Sequence, residues 1–232
     1  REAGSYDSMR WLTRAGKLIN SVQIEIMEDF IKDLSHGDFL EVASGTGRFT
    51  KVLLEKNFSV TSIDISSSML EQLKQKLKDH PNIKNHKMLV SDARDMELKS
   101  STFDGVVCFN ALSHIPEHKR VLKEVYRVLK PGGRFIFNIP NYLSVYLPFG
   151  LYVNLRKKSI TRDVYTRWYT FNEIKNDLEE LGFSIEKVKG QFHFPTSTPS
   201  FLLPFLKNID RGLRNGFMVK LSPVLFIEAR KV

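Results

Sequence analysis

The sequence lacks several features that would mark a special class of protein. Its single cysteine, Cys108, cannot form a disulfide within the chain, which excludes a disulfide-stabilised scaffold and fits a reducing compartment. No apolar run reaches the roughly 18 to 20 residues that a membrane-spanning helix requires. Residues 1–5 lack the apolar core of a secretory signal. From these absences we expect a cytoplasmic protein.

Internal repeats and low-complexity segments are also absent from the sequence. Hydrophobic residues make up 42% and charged residues 26% of the 232 residues, values that are ordinary for a globular protein with a full core. We therefore predict one domain over residues 1–232. It divides into a ligand-binding core at 20–140 and two cap insertions that recognise the substrate, at 141–170 and 190–220.

The positive charge is concentrated in the C-terminal part. The net charge is +9, with 21 Lys or Arg against 18 Asp or Glu in residues 1–140, and 14 against 8 in residues 141–232. Such a surface could attract an anionic small molecule, phospholipid or nucleic acid. A solvated basic face that only aids solubility explains it equally well.

Apolar strands alternate with amphipathic helices along most of the chain. The predicted strands are residues 39–42, 58–63, 86–90, 103–109, 134–139, 183–188 and 224–230. The predicted helices are residues 21–34, 48–55, 66–77, 117–129, 170–181 and a segment within 199–220. This alternation predicts an α/β fold with right-handed parallel crossovers, and residues 141–168 form an insertion over the carboxyl edge of the sheet.

The most informative segment is the small-residue loop after the first strand. Residues 39–47 read as an apolar strand that ends on Glu41 and breaks into a loop containing Gly45 and Gly47. Asp64 ends the second strand and Asp92 follows the third. Because the carboxyl ends of neighbouring parallel strands meet at one sheet edge, the three carboxylates should lie together and bind hydroxyl or amino groups of a nucleoside.

The loop does not match the dinucleotide pattern. An NAD site of the G-x-G-x-x-G type would have glycine where this chain has Thr50, which disfavours an NAD oxidoreductase. A ligand without phosphates needs fewer backbone N–H groups, and a carboxylate can face a positive centre in it. S-adenosylmethionine, with its sulfonium, ribose diol and amino acid end, has these properties.

At this point the chain resembles a class I S-adenosylmethionine-dependent methyltransferase of the small-molecule group, similar to the methyltransferase type 11 family. The resemblance covers about residues 37–140, and it departs from the usual loop only at Ala43, where the family has glycine. Five segments carry it: Leu40-Glu41-Val42-Ala43-Ser44-Gly45-Thr46-Gly47, Ile63-Asp64-Ile65-Ser66, Ser91-Asp92-Ala93, Phe103-Asp104-Gly105-Val106-Val107 with Asn110-Ala111-Leu112-Ser113-His114, and Leu129-Lys130-Pro131-Gly132-Gly133.

The resemblance implies a Rossmann-like, seven-stranded, mostly parallel sheet with helices on both faces, an antiparallel last strand and a cap after strand five. It implies that S-adenosylmethionine is bound and S-adenosylhomocysteine released. Asp64 would hold the ribose, Asp92 with Ala93 the adenine, and Asn110 would face the sulfonium side. The full set of implied cofactor-binding residues is Tyr6, Glu41, Ala43, Ser44, Gly45, Thr46, Gly47, Asp64, Ile65, Met69, Asp92, Ala93, Asn110 and Ala111.

Two residues are candidates for the chemistry of transfer, and no metal is predicted. His114 follows strand four at the expected mouth of the site and could accept a proton from a hydroxyl acceptor. A loop or helix-capping histidine is the plainer explanation. Tyr142, just beyond strand five, could position the acceptor, or it could simply pack in the cap.

The expected reaction is methyl transfer to an O, N or C nucleophile of a small amphiphilic or anionic molecule, such as a quinone precursor, a lipid-linked intermediate or a sugar-type metabolite. A nucleic-acid methyltransferase is an alternative, although the Asn/Asp-Pro-Pro-Tyr/Phe block of amino-directed enzymes is not found after strand four. A non-catalytic binding module is another. Residues 147–151 and 201–205 could also touch a membrane surface, although a core-facing role is the favoured explanation. The oligomeric state is not predicted.

Overall fold

A single seven-stranded sheet organises the chain. The computed structural model describes residues 13–144, 147, 165–192 and 202–232. The strands are β1 (Asp38–Val42), β2 (Ser59–Asp64), β3 (His86–Val90), β4 (Phe103–Cys108), β5 (Leu129–Pro140), β6 (Phe183–Gln191) and β7 (Val224–Lys231). Their spatial order is β3-β2-β1-β4-β5-β7-β6. Strand β7 runs antiparallel to the other six strands, which confirms the predicted fold class.

Helices cover both faces of this sheet. They are α1 (Arg14–Ile31), α2 (Arg48–Glu55), α3 (Ser67–Leu77), α4 (His118–Val128), α5 (Phe171–Leu181) and α6 (Leu203–Leu213). The apolar sides of α1, α2 and α3 form one buried cluster with the sheet, and those of α4 and α5 form another. The long apolar run in β4 lies between the two clusters, because a central parallel strand is buried on both faces.

Polar side chains cap the N-termini of two of these helices, as predicted. The Ser66 hydroxyl accepts the Met69 N–H at the start of α3, and the Thr170 hydroxyl accepts the Glu173 N–H at the start of α5. Gly182 ends α5 in the left-handed conformation. The capping box is incomplete, however, because the Glu173 carboxylate pairs with Arg167 instead of reaching back to its own helix start.

Several boundaries differ from the sequence prediction. Helix α1 begins at Arg14 because the Thr13 side chain caps it, accepting the Gly16 N–H at 3.0 Å. Strand β5 begins at Leu129 and not at residue 134. A register shift opposite Phe103 and Gly105 absorbs the proline and glycines that precede the main part of the strand.

Several predictions fall on residues outside the described ranges. Tyr6 is one of them, and most of the predicted cap insertion, residues 145–146 and 148–164, is another. In the described C-terminal part, α6 packs against α1, while Phe205 and Ile209 of α6 remain exposed. Within the described ranges, no helix combines the length and apolarity needed to cross a bilayer.

Candidate functional site

The carboxyl ends of β1, β2 and β3 lie side by side at one edge of the sheet, as the registers Val42 to Ile63 and Asp64 to Val90 require. A cavity of about 160 Å³ opens there, which we call the first hollow. Its walls include Ala43, Asp64, Ile65, Asp92, Ala93 and His114. The sequence thus brings two of its three predicted carboxylates into one cavity, while Glu41 is not among the lining residues.

The loop after β1 owes its shape to three residues in the left-handed region. Ala43 has φ of 53°, Gly45 54° and Gly47 80°. A β-carbon at Gly47 would come within 2.6 Å of Leu73, so only glycine allows α3 to pack this closely. A β-carbon at Gly45 would meet nothing within 4 Å, so backbone is exposed at the space where a ligand can approach. The loop therefore has one structural glycine and one that leaves room for a ligand.

Ala43 is strained in this loop, and replacing it with glycine will stabilise the protein. A non-glycine residue in the left-handed region destabilises the folded state by roughly 1 to 2 kcal/mol, and glycine relieves this strain. Glycine also gives the unfolded chain more conformational freedom, which offsets about 0.4 to 1 kcal/mol of that gain. We expect Ala43→Gly to raise the free energy of unfolding by about 0.5 to 1 kcal/mol in urea titration.

The matched control is Ala93→Gly in the same hollow. Ala93 is buried and does not have a positive φ, so this change should destabilise the protein. Equal effects of the two substitutions would show that backbone strain at Ala43 is not the cause.

The Asp64 carboxylate is fixed by backbone donors from both sides. The Gly45 N–H donates to Oδ2 at 2.8 Å, and the Ser66 N–H donates to Oδ1 at 2.9 Å. Each oxygen keeps a lone pair for a further donor, because a carboxylate has about four acceptor positions. The carboxylate is thus oriented at the edge of the first hollow and can accept hydrogen bonds from a diol.

Asp92 is held by a residue that the sequence did not single out. The Arg94 Nη2 lies 2.6 Å from Oδ2 of Asp92, and the Arg94 N–H also donates to this carboxylate at 2.9 Å. The bonding by Arg94 keeps the pKa of Asp92 below its usual value. Arg94 uses the hydrogen-bond acceptors of the Asp92 carboxylate, and the ion pair between Arg94 and Asp92 fixes the segment that lines the hollow. The charged group most available to a ligand is therefore Asp64.

Glu41 lies beneath the loop, with only 2% of its surface exposed. It accepts a hydrogen bond from the Thr50 hydroxyl, which lies 3.2 Å from the Ser62 hydroxyl, and that hydroxyl lies 2.9 Å from Nε2 of His86. Burial raises the pKa of Glu41 to about 8 and lowers that of His86 to about 4. The protein by itself therefore keeps Glu41 protonated and His86 neutral at pH 7, which avoids isolated buried charges.

A cluster of buried and half-buried amides holds the end of β4. Asn110 has a φ of 56°, and its N–H donates to Oδ1 of Asn138 at 2.6 Å. The Asn138 amide donates back to Oδ1 of Asn110 at 3.0 Å, and the Asn110 amide donates to Gln23 at 3.0 Å. Gln23 in turn contacts Gln191 and Arg48. The amide of Asn110 is therefore committed to this cluster, and sequence reasoning missed its partners.

A second cavity of about 160 Å³, the second hollow, lies beyond Asn110. His114 lines both hollows, which brings the predicted base to the boundary between them. Its Nδ1 lies 3.0 Å from the carbonyl oxygen of Tyr165. A carbonyl only accepts hydrogen bonds, so Nδ1 carries the hydrogen, and in the neutral ring Nε2 presents a lone pair.

The remaining predicted site residues take other positions. Ile65 is 69% exposed and forms an apolar wall of the first hollow. The Met69 N–H donates to the Ser66 hydroxyl that caps α3, and Ala111 is buried. The Tyr142 N–H donates to the Tyr169 carbonyl at 2.7 Å, but Tyr142 lies outside the lining of either hollow. Its assignment as a positioning residue therefore stays a prediction.

One further group, of one histidine and two acidic residues, has the ligand types of a metal site, but its side chains already pair with other residues of the protein. His118, Glu173 and Asp177 bring ligand-type atoms within 4.8 Å of one another. His118 and Lys119 contact the two oxygens of Asp177 at 2.9 and 2.7 Å, and Arg167 pairs with Glu173. Because cations already neutralise both carboxylates, this group joins α4 to α5 and offers no preference for a metal.

Comparison with known proteins agrees with this geometry. The family profile described as a methyltransferase domain matches residues 40–137. The uncharacterized protein MJ1252 of Methanocaldococcus jannaschii is 30% identical over 239 residues, covering 94% of this chain and 87% of that protein. The ubiquinone/menaquinone biosynthesis C-methyltransferase UbiE of Rickettsia bellii is 32% identical over 155 residues, covering 63% of this chain and 57% of its own length.

The fold has close counterparts among solved structures. The crystal structure of an S-adenosylmethionine-dependent methyltransferase from Thermotoga maritima superimposes with a TM-score of 0.71 at 20% identity, covering 100% of this chain and 98% of that one. The chain belongs to the class I S-adenosylmethionine-dependent methyltransferases. It is an enzyme whose cofactor is S-adenosylmethionine.

Proposed function

We propose that this enzyme transfers the methyl group of S-adenosylmethionine to an O, N or C nucleophile of a small amphiphilic or anionic molecule in the cytoplasm. A quinone precursor is the favoured example, because UbiE of Rickettsia bellii, a ubiquinone/menaquinone biosynthesis C-methyltransferase, is similar to 63% of this chain. The observation that carries the proposal is the pair of adjoining hollows, one beside the Asp64 carboxylate and one beyond His114.

Residues that line the first hollow, and two in the loop after β1, suit the cofactor. Asp64 offers oriented acceptors to a ribose diol, and Ile65 with Ala93 offers apolar surface to the adenine. Gly45 leaves open space above its backbone, and the Ser44 hydroxyl is buried with no hydrogen-bond partner. A buried hydroxyl of this kind is expected to find a partner when a polar ligand binds. The bound cofactor supplies a methyl group on a positively charged sulfur.

His114 is proposed to act as the general base, with the acceptor in the second hollow. The Tyr165 carbonyl fixes the ring through Nδ1, so Nε2 can take the proton that a hydroxyl acceptor loses as its oxygen becomes nucleophilic. Alignment of the acceptor with the methyl group requires no covalent intermediate on the protein. The protein contributes orientation, exclusion of water and this one proton acceptor.

Ion pairs among the described C-terminal residues weaken the nucleic-acid alternative. Among described residues of the basic C-terminal part, Lys207, Arg211 and Arg214 all pair with Glu25. Arg167 likewise pairs with Glu173. Side chains committed to internal ion pairs are less available to a phosphate backbone, so a small-molecule acceptor is favoured. The predicted membrane contact stays a prediction, for which exposed Phe205 is the supporting feature.

Incubation of the enzyme with methyl-labelled S-adenosylmethionine and a metabolite extract tests the proposed function. We expect label to enter a small metabolite, whose mass grows by one CH2 group, and His114→Gln to lower the rate by about 100-fold or more. Cofactor affinity in calorimetry should stay within about twofold, because Gln keeps a polar side chain outside the cofactor-binding carboxylates. Label that enters only RNA, or no label transfer at all, would contradict the proposal.

A further inference from the structure

The second hollow differs from the first in charge. Its described lining contains four uncharged polar residues and three apolar ones, together with His114. The polar residues are Asn110, Ser113, Asn138 and Thr166, and the apolar ones are Pro140, Trp168 and Val224. Asp, Glu, Lys and Arg are all absent from this described lining. A phosphate or carboxylate would need a basic partner here, and an ammonium group would need an acidic one.

The second hollow is large enough for one ring. Its volume is about 160 Å³, and a cavity of roughly 150 Å³ in a protein interior can hold a benzene molecule. The hollow can therefore hold one six-membered ring. The indole of Trp168 and the ring of Pro140 provide the flat, apolar contacts that favour such a group.

The polar groups around the hollow are not free to adapt to an arbitrary acceptor. Both amide functions of Asn110 and Asn138 bond within the buried cluster, and that cluster continues to Gln23. The Arg167 backbone N–H donates a hydrogen bond to the Ser113 carbonyl oxygen at 2.8 Å. The Thr166 hydroxyl lies 3.3 Å from Nδ1 of His114. The remaining groups are the Ser113 hydroxyl and Nε2 of His114, which suit an uncharged hydroxyl.

We propose that the second hollow takes a single hydroxylated six-membered ring of phenol or enol type as the reacting end of the acceptor. The inference rests on the proposed function and names its substrate class. The ring hydroxyl gives its proton to Nε2 of His114. The ring oxygen, or the carbon beside it, then bonds to the methyl carbon, while the electrons of the broken sulfur–carbon bond stay on sulfur. After attack by carbon, the ring loses the hydrogen of that carbon to solvent and becomes aromatic again.

Binding to the cofactor-loaded enzyme tests the hollow independently of turnover. We expect catechol to show saturation-transfer NMR signals with the complex of enzyme and S-adenosylhomocysteine, and benzylamine and phenyl phosphate to bind at least about tenfold more weakly. Trp168→Ala should weaken catechol binding by about tenfold, while calorimetry shows cofactor affinity unchanged. Stronger binding of the amine or the phosphate, or equal binding of catechol to both proteins, would overturn the inference.

The chemical nature of the labelled product separates this inference from the proposed function. Label on a hydroxylated ring, at its oxygen or at the neighbouring carbon, would support the inference. Label on an aliphatic amine, a phosphate, a carboxylate or a sugar would overturn it and leave methyl transfer to a small molecule intact. Failure to label any metabolite in the extract would overturn the proposed function and the inference together.

Discussion

Replacing Asp64 with alanine will weaken binding of S-adenosylmethionine by about 100-fold, which corresponds to about 3 kcal/mol. The loss has two sources. The variant lacks the two charge-assisted hydrogen bonds that we propose between Asp64 and the ribose diol, and the Gly45 N–H loses the acceptor that holds the loop against β2. Isothermal titration of the purified variant with S-adenosylmethionine measures the effect directly.

Asp104 provides a matched control for this experiment. It also accepts a backbone N–H, from Asp38 at 2.9 Å, and it pairs with Lys130 at 2.8 Å. It lies near the start of β4, at the opposite edge of the sheet from Asp64. Asp104→Ala should therefore lose stability but keep its affinity for the cofactor. Equal losses of affinity in the two variants would show that folding, and not ribose recognition, explains the Asp64 result.

Replacing Glu41 with glutamine will remove a pH dependence from the stability of the cofactor-free protein. The pKa of Glu41 is about 8 in the folded state against an ordinary value of 4.5, because burial disfavours the charged form. Between these values the folded protein holds a proton that the unfolded chain has released. The free energy of unfolding must then fall as pH rises through this range.

The interval from pH 6.5 to 8 isolates this effect. The pKa of His86 is lowered from 6.5 to about 4 by burial, so that residue changes stability mainly below pH 7, and with the opposite sign. We expect the wild-type free energy of unfolding to fall by about 1 to 1.5 kcal/mol between pH 6.5 and 8.

Urea unfolding of wild type and Glu41→Gln at several pH values measures this contribution. Glutamine keeps an acceptor for the Thr50 hydroxyl and does not titrate, so its curve should be nearly flat over the same interval. Arg48, Asp64 and Cys108 also interact electrostatically with Glu41 and remain in the variant. Parallel pH profiles for the two proteins would show that groups other than Glu41 cause the dependence and would contradict the prediction.

The regular part of the fold could be predicted because its signals are local. The apolar run of β4 and the capping hydroxyls of Ser66 and Thr170 depend only on nearby residues, and each has the predicted role. The order of the strands and the antiparallel last strand came from family resemblance. The start of α1 at Arg14 was missed although its signal, the Thr13 cap, is also local.

The candidate site could be predicted only in outline. Strand ends located Asp64 and Asp92, since parallel strands finish at one edge. The amide cluster of Gln23, Asn110 and Asn138 could not be found this way, because its members are 87 and 28 residues apart. Neither the burial of Glu41 nor the left-handed Ala43 has a distinctive local pattern, since both depend on how the loop packs over β2.

A crystal structure of the complex with S-adenosylhomocysteine would show whether Asp64 holds the ribose at this edge of the sheet. We expect the ribose hydroxyls within hydrogen-bond distance of both Asp64 oxygens and the adenine against Ile65 and Ala93. The sulfur should lie towards the second hollow. An adenosine bound away from this sheet edge, or a ribose without contact to Asp64, would contradict the proposed cofactor site.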